Sequence, residues 1–525
     1  METDTNVSKI LTRRSRRNTG KCVNYFPYEK DSGTQKDKVL SPPAKKRKHK
    51  KSANNQKDNY GVSENSVVNN NNTIDTDVRI ATLLNHGHTC YANCVLQVLR
   101  YTPLFVKYAR KLWTKITIVC YELTKQGLLA NDVSLKPWVF LKHLINFIEE
   151  MIQTEEESSP DCSSHYDSRG ERKRSHPLVC CPHVLFSITS QLFPGFAEIN
   201  TDQDAREFLD FTLERFQESH EILQSLLLHD GPNRRQNIQD SLQNHIHRVT
   251  FSEEAITEND KDPCFHCKMP RNNMTELVKS TLMNFGKEVS DDFKTENIAD
   301  IRKRFEIRKC EDWVCDSCHN TIKRPTTIFE LSIIFPPDDS DVKSLSLNDI
   351  IKRSSDNQEL ESLAQKWLLG RARSKREKVD DYNCGKCGSK NMWRNDRYVS
   401  LPPILVVYLT RFKQNDKGDW VKIRKLRPTP FRLPCLLDSC GACTDPLHIY
   451  ELYAVIIHTG DSIDSGHFTA VVDATLSPHA HRDGWLKLDD MKVEVKEVDK
   501  FINSDLSGRF SKTPYMLFYR RLGDC

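Results

Sequence analysis

The chain has 525 residues, 38% apolar and 28% charged, enough for one large core with insertions or for two to three domain-sized units. No apolar run approaches the ~18 residues needed to cross a bilayer and the N-terminus has no signal-peptide pattern, so a soluble intracellular protein is expected, not a membrane-spanning or secreted one. The net charge of +5 belongs to a tail: residues 1–60 hold 16 Lys/Arg against 6 Asp/Glu, which leaves 61 against 66 elsewhere and disfavours a nucleic-acid-binding body.

Residues 1–77 are rich in Asn, Ser, Lys and Asp with no hydrophobic period, and read as a disordered basic tail. Its clusters Arg13–Arg17 and Lys45–Lys51 fit a nuclear-import signal better than nucleic-acid contact or a plain solvated charge run. A folded domain is expected over 78–525. Near its start, a turn carrying Gly87 runs into Thr89-Cys90, and an apolar helical stripe through Cys94, Val95, Val98 and Leu99 follows at once. That places the Cys90 thiol on the first turn of a helix, where free N–H groups and the positive dipole end favour a thiolate. Taken alone, Cys90 reads as an inert core cysteine at a helix start rather than as a nucleophile.

Trp138, Leu141, Leu144, Ile145 and Ile148 predict a core-facing helix, and Ala205, Phe208, Leu209, Leu213 and Phe216 predict another. Residues 152–178 lose the period and read as a surface insertion, 218–305 are polar without a clear pattern, and 352–381 read as a second insertion with a short helix near Leu363–Leu369. Beyond about residue 325 the pattern turns to strands: Thr327–Ile333, the unbroken apolar run Ile404–Leu409 after Pro402-Pro403, then Tyr450–His458, Phe468–Val472 and Tyr515–Tyr519. Helices first and antiparallel strands later make the fold class α+β.

Eighteen cysteines in a long chain, several of them as C-x-x-C, suit metal or catalysis better than a disulfide framework. Cys315-x-x-Cys318 and Cys384-x-x-Cys387 are matched knuckles flanked by strands, with Gly385 and Gly388 allowing a tight turn. Together they supply four thiolates for one structural zinc with no open position, so no catalytic metal is expected. Cys264/Cys267 and Cys440/Cys443 form a second site or bind nothing. Near the C-terminus, Gly466-His467 opens an apolar strand, with Gly466 leaving the adjacent backbone uncovered for a passing substrate chain, and Trp485–Asp490 follows on a strand that can return beside it. A carboxylate there can bond the imidazole, so Cys90, His467 and Asp489 provide nucleophile, base and orienting acid.

These motifs, with Thr201–Leu209 and Leu401–Phe412, occur in an order that resembles the ubiquitin-specific protease family from about residue 80 to 521. The resemblance implies a papain-like cysteine-protease fold with helical thumb, strand-rich palm and zinc-bearing fingers at about 305–400. It implies hydrolysis of the bond between ubiquitin's C-terminal glycine and a lysine: Cys90 attacks, His467 shuttles the proton, Asp489 orients His467, and Asn85 donates to the oxyanion. Asp490 supplements Asn85 or substitutes for Asp489. Asp204 is expected to pair with an arginine of ubiquitin's tail, with Gln203, His458 and Gly466 counted among the substrate-binding residues. The implied partners are ubiquitin, ubiquitinated proteins related to DNA repair and a WD40-repeat activating subunit; the implied location is nuclear, or nuclear and cytoplasmic. His86 and His88 beside Gly87, Cys94 in place of the usual Ser, and Asp202 in place of a Gln depart from the family pattern. The competing readings are a catalytically inactive ubiquitin-binding scaffold and a nucleic-acid-binding zinc protein.

Overall fold

A computed structural model describes residues 79–125, 135–157, 178–197, 203–227, 301–335, 357–372, 376–379, 382–415, 418, 420–424, 429–437, 448–462, 466–479, 484–501 and 512–524. The basic tail, Cys264/Cys267, Cys440/Cys443 and most of the expected insertion 152–178 lie outside these residues, whereas most of the expected insertion 352–381 is described. In the helical half, strand β1 (Thr82–Leu83) leads into helix α1 (Cys90–Tyr101), then α2 (Phe105–Lys125) and α3 (Lys136–Glu157). Strand β2 (Val179–Cys180), which pairs in parallel with β1, precedes α4 (His183–Leu192) and α5 (Ala205–Leu227).

Helix α1 is more deeply enclosed than its apolar stripe predicts, for all twelve of its residues are buried. Its polar side chains are therefore spent on specific partners. Gln97 Nε2 donates to Ala81 O at 2.9 Å, and Arg100 Nη1 donates to Glu155 Oε1 at 2.8 Å. Glu155 also accepts from Ala81 N, at 2.6 Å. This carboxylate lies in the segment read as a surface insertion; the correction is that α3 continues to Glu157 because its last turn reaches a buried cation. Phe140, Phe193, Phe208, Phe211 and Phe196 pack edge-on and stacked, joining α3 and α5 with the end of α4.

A four-stranded sheet comes next, ordered β4-β3-β7-β6, from β3 (Ile307–Cys315), β4 (Thr321–Ile328), β6 (Arg376–Val379) and β7 (Met392–Ser400). The expected strand Thr327–Ile333 is in fact broken. Phe329-Glu330 turns a corner between β4 and β5 (Leu331–Ile334), where Glu330 is buried against Arg206 Nε at 2.5 Å. Helix α6 (Asn357–Ala372) is longer than the expected Leu363–Leu369 segment, and it buries Trp367, Leu368 and Ala372 in the core.

The main sheet takes β8 (Ile404–Thr410), β11 (Arg432–Leu433), β12 (Tyr450–Thr459), β13 (His467–Asp473), β14 (Trp485–Asp489), β15 (Lys492–Lys496) and β16 (Lys512–Arg521), ordered β15-β14-β13-β12-β16-β8-β5 with β11 against β12. A separate hairpin joins β9 (Phe412–Gln414) and β10 (Trp420–Lys422). Within the main sheet only β5–β8 is parallel, a departure from the antiparallel expectation. Its strands alternate between two cores. Val406, Ile456, Val472 and Phe518 face the helical half, while Val407, Val455, Val471 and Leu517 face the side that holds α6. Burial on both faces explains the unbroken apolar run of β8. The fold is thus α+β, and the helical half delivers the start of α1 to the strand ends of β13 and β14.

Removing the carboxylate beneath α1 leaves a buried guanidinium without its anion. Glu155→Ala is expected to lower the unfolding free energy by about 3–5 kcal/mol in urea denaturation, and Arg100→Met with Glu155→Leu to recover most of it. An unchanged midpoint for Glu155→Ala would refute this role.

Candidate active site

Cys90 is the first residue of α1, and no side chain caps that helix. The Thr89 hydroxyl instead donates to Asn85 Oδ1 at 3.2 Å and accepts from His86 N at 3.1 Å, which leaves the positive end of α1 facing the thiol. His467, first residue of β13, stands beside the Cys90 thiol, which helps to raise its pKa, and makes through Nε2 a 2.6 Å bond with Asp489 Oδ1. The Asp489 bond, aided by the Cys90 contact, raises the imidazole to about 10 against the effect of burial. Asp489 in turn is held at about 2, led by its bond to His467 and helped by Lys487, whose Nζ lies 3.2 Å from Oδ2. At neutral pH the imidazole is a cation, the counter-ion that a thiolate nucleophile needs.

The two adjacent acids, indistinguishable in sequence, have separate partners. Asp490 adopts a left-handed φ of +49°. Its Oδ2 accepts from Asn85 Nδ2 at 2.8 Å and its Oδ1 from Asn93 Nδ2 at 2.8 Å, while His467 Nε2 lies 3.9 Å away. Asp489 is therefore the partner of His467, and Asp490 the partner of the asparagines. Asn85 Oδ1 accepts from Gly87 N at 2.9 Å and Thr89 N at 3.2 Å, so its amide oxygen holds the turn while its amide nitrogen faces the site.

The expected substrate-binding residues are placed differently from one another. Gln203 spends its amide on the protein: Oε1 accepts from Tyr91 OH at 2.7 Å and Ala197 N at 3.1 Å, and Nε2 donates to Gly195 O at 2.9 Å. Asp204 is half-buried, accepting from Tyr515 OH and from Arg206 N at 2.7 Å, and burial pushes its carboxyl up. His458, expected among the substrate-binding residues, is enclosed by the protein. It is 2% exposed and lies under Gly466, where a Cβ would stand 2.1 Å from its Nε2. Burial, with Lys422 next, lowers it to about 3. Gly466 is thus required by the ring beneath it, whatever passes above.

Of the departures from the family pattern, Cys94 is a buried thiol donating to Tyr91 O at 3.0 Å, and burial raises it well above its usual range. His86 Nε2 lies 3.5 Å from Cys181 Sγ, and its ring is 5.4 Å from that of His183. His88 is exposed, and Asp202 lies outside the described residues. Two functional neighbours escaped the sequence reading. Lys422 bonds His458 Nδ1 at 2.8 Å, His458 O at 3.1 Å and Gly460 O at 2.7 Å, and burial lowers it to about 8. Nothing in its local sequence marks it. Asn93 carried a signal that was passed over: a poor helix former inside an apolar helix start.

Cys315, Cys318, Cys384 and Cys387 bring their sulfurs within 4.8 Å of one another. The pairs Cys315–Cys387 and Cys318–Cys384 stand 3.7 and 3.6 Å apart. Four Zn–S bonds of ~2.3 Å in a tetrahedron require S···S edges of about 3.8 Å, so the donor set fits zinc. The separations are far beyond a disulfide bond. Backbone N–H groups of Cys387 and Lys386 pull the Cys384 thiol down to about 6, while, against the Asn320 N–H, burial and the neighbouring cysteines push Cys318 up to about 12, so the four thiols share their protons as one set. Each knuckle closes through a left-handed residue, Gly388 at +71° and His319 at +55°; Gly385, expected to help, is not in that region.

A family profile described as "Ubiquitin carboxyl-terminal hydrolase" matches residues 81–519. Among curated proteins, ubiquitin carboxyl-terminal hydrolase 12 of Salmo salar is 31% identical over 148 residues, covering 26% of this chain and 37% of that protein. Probable ubiquitin carboxyl-terminal hydrolase 8 of Schizosaccharomyces pombe is 34% identical over 145 residues, covering 27% of each chain. The matched regions thus span well under half of these relatives. A solved SAGA Ubp8/Sgf11/Sus1/Sgf73 DUB module bound to ubiquitin aldehyde aligns with a TM-score of 0.44 at 17% identity, covering 85% of this chain and 70% of that one.

Metal analysis of the purified chain is expected to find about one zinc per molecule held by these thiolates, and Cys315→Ser to lose it with a fall in melting temperature. Cys435→Ser, outside the cluster, should keep the metal. Full zinc content in Cys315→Ser would exclude this site.

Proposed function

The chain belongs to the ubiquitin carboxyl-terminal hydrolase family, and on that premise we propose that it is a cysteine-type deubiquitinase that cleaves the isopeptide bond between ubiquitin's C-terminal glycine and a substrate lysine. The observation that carries this reading is the line Cys90–His467–Asp489 at the start of α1, with Asn85 beside it. The Cys90 thiolate attacks the glycine carbonyl and forms a tetrahedral oxyanion. Asn85 Nδ2 and the open N-terminus of α1 supply donors to that oxygen, a single such donor contributing about 3–4 kcal/mol to lowering the barrier. The His467 imidazolium gives its proton to the departing lysine amine, leaving a thioester on Cys90. Neutral His467 then takes a proton from water, which attacks the thioester and releases ubiquitin. Zinc, bound to the four cysteines, would hold the finger strands together and take no part in these steps.

The finer reading extends further. Asp204 beside Tyr515 offers a carboxylate to an arginine of ubiquitin's tail. Tyr450–Val455, Asp489-Asp490 with Val493–Phe501, and Thr513–Tyr519 support a placement near ubiquitin-specific protease 1. With it come nuclear location through the basic tail, substrates related to DNA repair and a WD40-repeat activating subunit.

A ubiquitin probe with a C-terminal electrophile is expected to label Cys90, and Cys90→Ser to abolish hydrolysis of a ubiquitin C-terminal fluorogenic amide. A wild-type chain that binds ubiquitin but takes no label would instead be an inactive scaffold. Asp489→Asn is expected to reduce kcat/KM by roughly 10²–10⁴-fold. Since the Asp489 bond is what raises His467 to about 10, the alkaline limb of the pH–rate profile should move down toward neutrality in that variant. An unmoved limb would remove Asp489 from this role.

A further inference from the structure

Asn93 sits on α1 one turn after Cys90 and is 2% exposed. Its Nδ2 donates twice, to Leu84 O at 3.3 Å and to Asp490 Oδ1 at 2.8 Å. Its Oδ1 is buried and accepts nothing. Turning the amide over would set that oxygen against a carbonyl and a carboxylate, both acceptors, so the neighbours force the orientation and leave one atom unsatisfied. An asparagine held this way is committed to Asp490. The other oxygen of Asp490 accepts from Asn85 Nδ2 at 2.8 Å, and Asp490 O accepts from Leu83 N at 3.0 Å.

A carboxylate held through one oxygen can still rotate about its terminal torsion, which has no steep staggered wells. For Asp490 a cationic competitor is close: His467 Nε2 lies 3.9 Å from the oxygen that accepts from Asn85. A swing toward it would leave the Asn85 amide without its acceptor. We propose that Asn93 is a positioning residue: by pinning Oδ1 of Asp490 it keeps Oδ2 on Asn85, and so aims the Asn85 amide at the oxyanion before substrate arrives. The proposal rests on the deubiquitinase reading and deepens it. It assigns Asn93 to the oxyanion donor, because the Asn93 amide bonds Leu84 O and Asp490 and makes no bond with Cys90, His467 or Asp489.

With the full chain and a ubiquitin C-terminal fluorogenic amide, Asn93→Ala is expected to lower kcat by roughly 10–100-fold with KM within about twofold. Alkylation of Cys90 by iodoacetamide, read by mass spectrometry of the Cys90 peptide, should stay within about threefold of wild type, since displacement at a saturated carbon develops no oxyanion. In an Asn85→Ala background, Asn93→Ala should cost less than about threefold more. Alkylation falling in step with hydrolysis, or losses that multiply in full with Asn85→Ala, overturns the proposal. Asn93→Ser, whose hydroxyl is too short to bridge Leu84 and Asp490, carries the same expectations if the alanine variant does not fold. A wild-type chain that hydrolyses no ubiquitin amide defeats the deubiquitinase reading as well; wild-type hydrolysis unimpaired in Asn93→Ala defeats this inference alone.

Discussion

At the end of β14 the backbone turns left-handed at Asp490, and that one conformation sends two neighbouring carboxylates to different tasks. Side chains on a strand alternate between faces, so two successive acids on an extended strand could not both reach one site. With Asp490 at φ +49°, Asp489 meets His467 while Asp490 meets Asn85 and Asn93. The same turn also takes a backbone bond from Leu83. Base and oxyanion donor come from opposite halves of the fold, and this turn touches both. A left-handed aspartate costs conformational energy, but Asp is among the few residues that tolerate it. The hydrogen bonds it gains are charge-assisted, which outweighs that cost.

The support for the turn is layered. Helix α1 carries Cys90 at its start while the rest of the helix is enclosed and its polar side chains are tied to partners, Arg100 to Glu155 and Gln97 to Ala81, although Asn93 Oδ1, Gln97 Oε1 and Arg100 Nε are left without one. Beneath the opposite side, Lys422 ties the carbonyls of His458 and Gly460 together, and the His458 ring lies flush against Gly466, the residue before the base. The reactive groups thus rest on groups that do no chemistry. A lysine lowered to about 8 and a histidine lowered to about 3 look like catalytic candidates by their titration alone. Their burial and mutual bond mark them as the floor of the site.

How far the sequence could be read follows from which forces act locally. The helix carrying Cys90, the strand opening at His467 and the paired knuckles were legible because apolar period, glycine position and C-x-x-C spacing are local signals. The strand break at Phe329-Glu330 was not, because it depends on Arg206, which lies on another element. Nor was the last turn of α3, whose charged residues look solvated until Arg100 is found beside Glu155. The different partners of Asp489 and Asp490 depend on a backbone torsion that no composition records. His458 was misplaced for a similar reason: a histidine beside the catalytic motif looks like a contact residue until the depth of β12 is known.

In the finger sheet, a zinc held by the four cysteines would act on strand alignment. Strand β4 alternates exposed with half-buried residues and buries none fully, so only a shallow stripe fixes its register against β3. The knuckles end that ambiguity from outside the sheet, since four thiolates can meet in only one alignment of β3 and β7. They also join positions 66 residues apart, Cys318 and Cys384. Because the unfolded chain does not hold the four thiolates together, the free energy of metal binding would be added to that of folding. The metal would then align the two knuckles whatever lies between them, where the chain already carries β4, β5 and α6, and the length of that span becomes a tolerance for insertion.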